Sequence, residues 1–210
     1  MRRKLDIFLV LLGAIILLNS CAKQEAKVVS ESEQLGLTTI VIPDVSIDLG
    51  KLQYDNLTSI WSLEEAAYSG YGISYYQDSI IKEKVAFHNG RKENQASTWY
   101  PDGSRKQVAN YHRGKLHGEK KMWSSGPEHV LLAQLNYHSG KAHGEQKKWY
   151  NTGELFKKLH LNMGREEGIQ QAFRKNGDLF ANYEAKEGRI FGLKKASLCF
   201  GLEDEKVQYE

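Results

Sequence analysis

The chain has 210 residues, enough for one domain or one repeat array, with hydrophobic residues at 40%, low for a protein with a deep two-layer core. Its formal net charge of +3 is unevenly spread: residues 22–65 hold three lysines against eight acids, and residues 203–210 one lysine against four. The body between them is therefore strongly basic, at +9. Such a surface can attract an anionic partner, although solvated polar faces of a thin sheet are the simpler reading, and the exported address argued next excludes nucleic acid.

The N-terminus, MRRKLDIFLVLLGAIILLNSC, has Arg2, Arg3 and Lys4 followed by an apolar run from Ile7 to Leu18. That run is shorter than the ~20 residues a membrane span needs, and a basic head before a short apolar run is the pattern of an export signal. Leu18-Asn19-Ser20-Cys21 resembles a lipoprotein lipobox. This implies a signal peptide over 1–20 and lipidation of Cys21, the expected link to a membrane. Cys199 is then left without a cysteine partner, so packing and strand ladders must hold the fold. Its apolar neighbours in ASLCFGL favour burial over reactivity.

Residues 21–65 form a tether and lead-in segment. A polar stretch to about Gln34 precedes a strand expected over Thr38 to Ile42. Ser62-Leu63-Glu64-Glu65 has capping-box spacing, and fits either a short helical turn or a lead strand.

From Ala66 to Leu202 the chain repeats. Gly90, Gly114, Gly140, Gly164 and Gly188 are spaced by 24, 26, 24 and 24 residues. Four residues after each come Asn94, Gly118, Gly144, Gly168 and Gly192; nine after the first four come Trp99, Trp123, Trp149 and Phe173. A further glycine follows each aromatic, at Gly103, Gly126, Gly153 and Gly177, and Gly70 with Tyr75 marks a truncated opening unit. Glycine supplies the positive φ of hairpin turns and bulges. Between turns the residues alternate, as in Ile81, Val85, Phe87 or Leu155, Leu159, Leu161, the period of a half-buried antiparallel strand. Each unit is thus a hairpin of two strands of about eight residues, and ten or so strands at ~4.8 Å make a sheet about 50 Å long. Trp99, Trp123, Trp149 and Phe173 then either stack along the sheet as its core or form an exposed aromatic ladder. Pro127 should open the turn of the unit that is two residues longer, and the acidic tail over 203–210 should fray.

The segment GKAHGEQKKWYNTGEL, Gly140 to Leu155, resembles the MORN repeat in its bacterial variant, and the resemblance extends with gaps from about Ala66 to Lys195. Bacterial chains of this kind are grouped with the YwqK family, named as the antitoxin component of a toxin–antitoxin pair. The resemblance implies an all-β, elongated, twisted single-layer antiparallel sheet of tandem hairpins that acts through protein contact. Asn94 and Ser197 depart from the glycine and aromatic positions, and the export signal departs from a cytosolic antitoxin role.

No nucleophile elbow, phosphate loop or HExxH motif occurs, so no catalytic residue, metal or cofactor is assigned. The consecutive pairs Glu166-Glu167, Lys147-Lys148 and Lys157-Lys158 point to opposite faces of a strand. Equivalent histidines of successive hairpins are expected ~10 Å apart, too far to share an ion; only His112 with His117, and His138 with His143, can meet across a turn. The expectation is a non-enzymatic lipoprotein on the periplasmic face of an outer membrane, with an unidentified protein partner. An immunity protein against a partner toxin, or a module for anionic lipid or polysaccharide, is the alternative.

Overall fold

The computed structural model describes residues 40–77, 79–193, 200–203 and 206–209. Cys21, the signal peptide, the tether to Gln34 and Cys199 lie outside the described residues. The residues from Ile42 onward form one compact unit. It is almost wholly β, built on a long open sheet whose strands follow one another as hairpins, as the repeat predicts.

Chain order runs β1 (Ser46–Asp48), a 3-10 turn (Leu49–Lys51), β2 (Gln53–Asp55), β3 (Ile60–Leu63), β4 (Ala66–Ala67) and β5 (Gly70–Tyr75). The hairpins follow as β6 (Ile81–His88), β7 (Arg91–Trp99), β8 (Arg105–His112), β9 (Lys115–Trp123) and β10 (Leu131–His138). Next come β11 (Lys141–Ala142), β12 (Gly144–Trp149), β13 (Leu155–Asn162), β14 (Arg165–Glu166) and β15 (Gly168–Phe173). The series closes with β16 (Leu179–Lys186), β17 (Arg189–Leu193), β18 (Phe200–Glu203) and β19 (Lys206–Tyr209). β5 to β17 lie side by side in sequence order, and β1 adds a parallel edge beside β5.

Two turn types alternate along the sheet. His112 pairs with Lys115 and His138 with Lys141, leaving two-residue loops. Both loop residues have positive φ, as in Arg113 (50°) with Gly114 (82°) and Met163 (49°) with Gly164 (90°). This is the type I′ turn, whose twist suits flanking strands. At the opposite rim the loop Pro101-Asp102-Gly103 is closed by Tyr100 N–H to Ser104 O at 2.8 Å and Gly103 N–H to Tyr100 O at 2.9 Å. That pattern is a type I turn with a left-handed glycine bulge, and it recurs at Gly153 and Gly177. In the longer loop the equivalent left-handed residue is His129 (φ 43°), not Gly126, because Ser124 N–H bonds Val130 O across it. Pro127 does open a turn there, closed by His129 N–H to Gly126 O at 3.2 Å.

The second glycines have a different task. Between the pairs Ala109↔Lys120 and Tyr111↔Leu116, residues 117–119 oppose Asn110 alone. Gly118 (83°), Gly144 (81°) and Gly168 (80°) take left-handed conformations in these bulges, and Asn94 does so at 57°. Asparagine enters that region more readily than other residues with a Cβ, which explains the departure from glycine. Gly192 differs: β16 and β17 pair in continuous register through it, without a bulge.

The apolar core sits at the N-terminal end of the array. Leu52, Tyr68, Val85, Phe87 and Ala96 are buried together, with Ile47, Leu49, Trp61, Leu63 and Tyr111 packed around them. β2, β3 and β4 form a small sheet that caps this end. Gly90 lies beneath it, where a Cβ would come within 2.5 Å of Ile60 Cγ2 and 2.8 Å of Trp61 O. The cap settles one open alternative, in favour of the lead strand, and corrects one expectation. Ser62 and Leu63 belong to strand β3, and Glu64 (48°) and Glu65 (68°) make its turn, so no helical turn forms. Among the described residues of the expected Thr38–Ile42 strand, residues 40–42 are not strand. The tail is corrected as well: β18 and β19 pair from Phe200↔Tyr209 to Glu203↔Lys206.

The recurring aromatics occupy matching places. Trp99, Trp123, Trp149 and Phe173 each end a strand, opposite Arg105, Leu131, Leu155 and Leu179 across a register shift. All four are half-buried, intermediate between the core and ladder alternatives. They do not stack on one another; among the described residues the only close ring over Trp123 is that of His129, at 5.9 Å and 7°. Their repeats lie two strands apart, beyond ring contact. A tyrosine makes the connection instead, its hydroxyl donating to the carbonyl of the next aromatic: Tyr76 to Trp99 at 3.0 Å, Tyr100 to Trp123 at 2.8 Å, Tyr150 to Phe173 at 2.9 Å.

Candidate binding edge

The type I′ turns form one rim of the sheet, and backbone bonds tie four of them to the strand or turn before. Gly90 N–H donates to Tyr68 O, Gly114 to Lys92 O, Gly140 to Leu116 O and Gly164 to Ala142 O, all at 2.7–2.8 Å. The rim therefore presents the residues two before and three after each glycine in a fixed row. Glu93, His112, His117, His138 and His143 stand in it consecutively. His112 meets His117 at 5.8 Å between ring centres, and His138 meets His143 at 5.9 Å, the two contacts expected across turns. His117 also meets His138 at 4.9 Å, which period counting between equivalent positions does not reveal. Buried Glu93 anchors the row, with Oε1 2.7 Å from His112 Nδ1 and Oε2 accepting from Arg113 N–H at 2.8 Å. Among the described residues no three of His, Cys, Asp and Glu converge as a metal cage.

Beside the start of this row, where the cap meets the rim, lies a cleft of about 410 Å³, within the range of ligand sites. Tyr54, Trp61 and Tyr111 give it aromatic walls, and Arg91, Lys92, Arg113 and Lys115 surround it with four cations. Lys92 lies over the rings of Trp61 and Tyr111, at 5.9 and 5.5 Å. No carboxylate lines the cleft. Among the described residues the ion pairs involve other groups, and Glu93 is already committed to His112 and the Arg113 backbone. Four uncompensated cations around aromatic walls hold a positive potential suited to an anion with an apolar body.

Farther along, three lysines are paired with carboxylates, Lys121 with Glu119 and both Lys147 and Lys158 with Glu145. Glu145 accepts from Lys147 Nζ at 2.6 Å and Lys158 Nζ at 3.2 Å. The hydrogen bond from Lys147 and then that from Lys158 hold its carboxyl below the usual range. Glu166 accepts from the Tyr183 hydroxyl at 2.9 Å. Burial and then that bond push the phenol up to about 12. Two buried glutamines complete the bulges: Gln146 exchanges both amide bonds with the Asn136 backbone, and Gln170 does so with His160. The repeat glycines thus build the rim and its bulges, while the cleft, the histidine contact between strands and the glutamines come from residues between them. Among the described residues no helix is long and apolar enough to cross a membrane. No family model matches the chain, and no curated protein does.

Proposed function

We propose that this chain is a non-catalytic lipoprotein of the bacterial cell envelope, anchored through Cys21, whose MORN-like array serves as a protein-interaction scaffold. Its placement is the outer membrane, facing the periplasm, and it resembles YwqK-like antitoxin components. The supporting observation is the cleft of Arg91, Lys92, Arg113 and Lys115 over Tyr54, Trp61 and Tyr111, with no carboxylate in its lining. A partner presenting an acidic segment beside an aromatic or aliphatic anchor matches that chemistry, as charge complementarity guides encounter and aromatic pockets hold anchors. An exported toxin neutralised by direct contact is the form of partner the family resemblance favours.

Crosslinking in intact cells, comparing wild type with Arg91→Glu/Arg113→Glu, tests the reading. One protein captured by wild type and lost in the variant supports it; equal capture by both refutes the cleft as the contact. The basic body, at +9, favours a second reading, adsorption to anionic lipid or polysaccharide. Liposome binding that disappears at high salt, with no protein captured, selects that second reading.

A further inference from the structure

We infer that the histidine row holds a divalent first-row transition ion between His117 and His138. The pair β9–β10 runs in register through Tyr137↔Gly118, so the next step places His138 opposite His117 across adjacent strands. Their ring centres are 4.9 Å apart. Two imidazoles sharing an ion at ~2.0–2.1 Å per nitrogen hold their ring centres about 5 Å apart, so the pair needs rotation of the rings and no movement of strands. The type I′ turns before Gly114 and Gly140, joined by Gly140 N–H to Leu116 O at 2.7 Å, fix the backbones that carry both rings. His112 and His143 stand one step out on either side, at 5.8 and 5.9 Å, as the next donors along the row. Glu93 brings the negative charge, bonded to His112 Nδ1 at 2.7 Å, the carboxylate–histidine arrangement that orients metal ligands.

Imidazole donors suit Zn2+, Cu2+ and Ni2+ and give little affinity for Mg2+ or Ca2+. His138 is exposed and His117 half-buried, so the ion is reached from solvent and keeps coordination positions for water or for a donor from another molecule. With two protein donors it has fewer than the three of catalytic zinc sites, so the remaining positions are filled from solvent or from another molecule.

The test uses the full chain in detergent micelles, titrated with Zn2+ against a colorimetric zinc chelator, and with Cu2+ followed by electron paramagnetic resonance. The expected result is one tight Zn2+ per chain, weakened in His117→Gln and in His138→Gln by about tenfold or more, at least the loss that outer-shell partners cause. His160→Gln serves as control, because His160 lies off the row with Nδ1 bonded to Glu167 O at 2.9 Å, and its affinity should stay within about twofold of wild type. The Cu2+ spectrum should carry hyperfine coupling from two nitrogens in wild type and one in either row variant. Absence of Zn2+ binding, or equal weakening in all three variants, overturns the inference. So does a Cu2+ spectrum that neither row variant changes.

Discussion

Gln170 is the residue whose loss should cost this sheet most for its size. Its side chain is fully buried. Oε1 accepts from His160 N–H at 3.3 Å, and Nε2 donates to His160 O at 2.7 Å. The amide thus stands in for the strand that the bulge at Gly168 has pushed aside. Gln170→Ala leaves the His160 N–H without a partner, worth roughly 1–3 kcal/mol, while His160 O keeps the bond it accepts from Glu167 N–H at 3.0 Å. With that one group unpaired, the loss should be about 1–3 kcal/mol, a sizeable part of the 5–15 kcal/mol that typically holds a domain. At about 2–4 °C per kcal/mol for a chain of this size, the melting temperature should fall by about 2–12 °C. Urea unfolding followed by circular dichroism measures the energy, and amide exchange at His160 locates it. Gln170→Leu keeps the volume and discards the bonds, so it should cost nearly as much. Gln171→Ala is the control: its amide is half-buried and bonds only the Asn182 side chain, at 3.3 Å, so its loss should be about 0.5 kcal/mol. Equal effects of Gln170→Ala and Gln171→Ala, or an unchanged exchange rate at His160, would refute the reasoning.

Three further outcomes follow from the turns and rims. Met163 is exposed and left-handed at 49°; Met163→Asn should stabilise the chain by about 0.5–1 kcal/mol, because a Cβ residue there carries ~1–2 kcal/mol of strain that asparagine partly relieves, as thermal melts would show. Tyr100→Phe removes the 2.8 Å bond to Trp123 O and should lower stability by about 1 kcal/mol, with faster exchange confined to neighbouring strands. The Tyr183 phenol, raised to about 12, stabilises the fold fully below its unfolded value of about 10, and that stability is lost as pH rises through 12. The gap in urea midpoint between wild type and Tyr183→Phe should therefore be constant up to pH 9 and narrow between pH 10 and 12; a gap independent of pH would contradict it.

Much of the architecture was legible because its causes are local. A two-residue turn with positive φ demands glycine, and the 24-residue spacing of Gly90, Gly114, Gly140, Gly164 and Gly188, lengthened to 26 between Gly114 and Gly140, follows from two strands and two loops. What stayed hidden depends on neighbours brought together by the register. His117 and His138 belong to different units and different positions of the repeat, so counting between equivalent residues separates them, whereas the bulge at Gly118 brings them face to face. The same limit applies to Trp99, Trp123 and Trp149: periodicity places them at one level of the sheet, but the spacing of alternate strands keeps their rings apart and passes the connection to Tyr76, Tyr100 and Tyr150. Those tyrosines do recur directly after the aromatic, a signal the period offers. The cap was less readable, since Ser62 to Glu65 satisfies a capping box, and only packing of Trp61 against Phe87 decides for strand.

The longer loop leaves one seam of the sheet unlike the rest. The glycine amides of Gly90, Gly114, Gly140 and Gly164 fasten one border, and the hydroxyls of Tyr76, Tyr100 and Tyr150 fasten the other. Ser124 occupies the place of such a tyrosine, and its hydroxyl accepts from Val130 N–H at 3.0 Å within its own loop. His129 reaches the other way, to Arg105 O at 2.6 Å, doubling the fastening already made by Tyr100. Among the described residues two such links cross the seam before Trp123 and none spans from Ser124 to Trp149, so an applied load should open the sheet first like a page between Trp123 and Trp149, with the histidine rim as its spine.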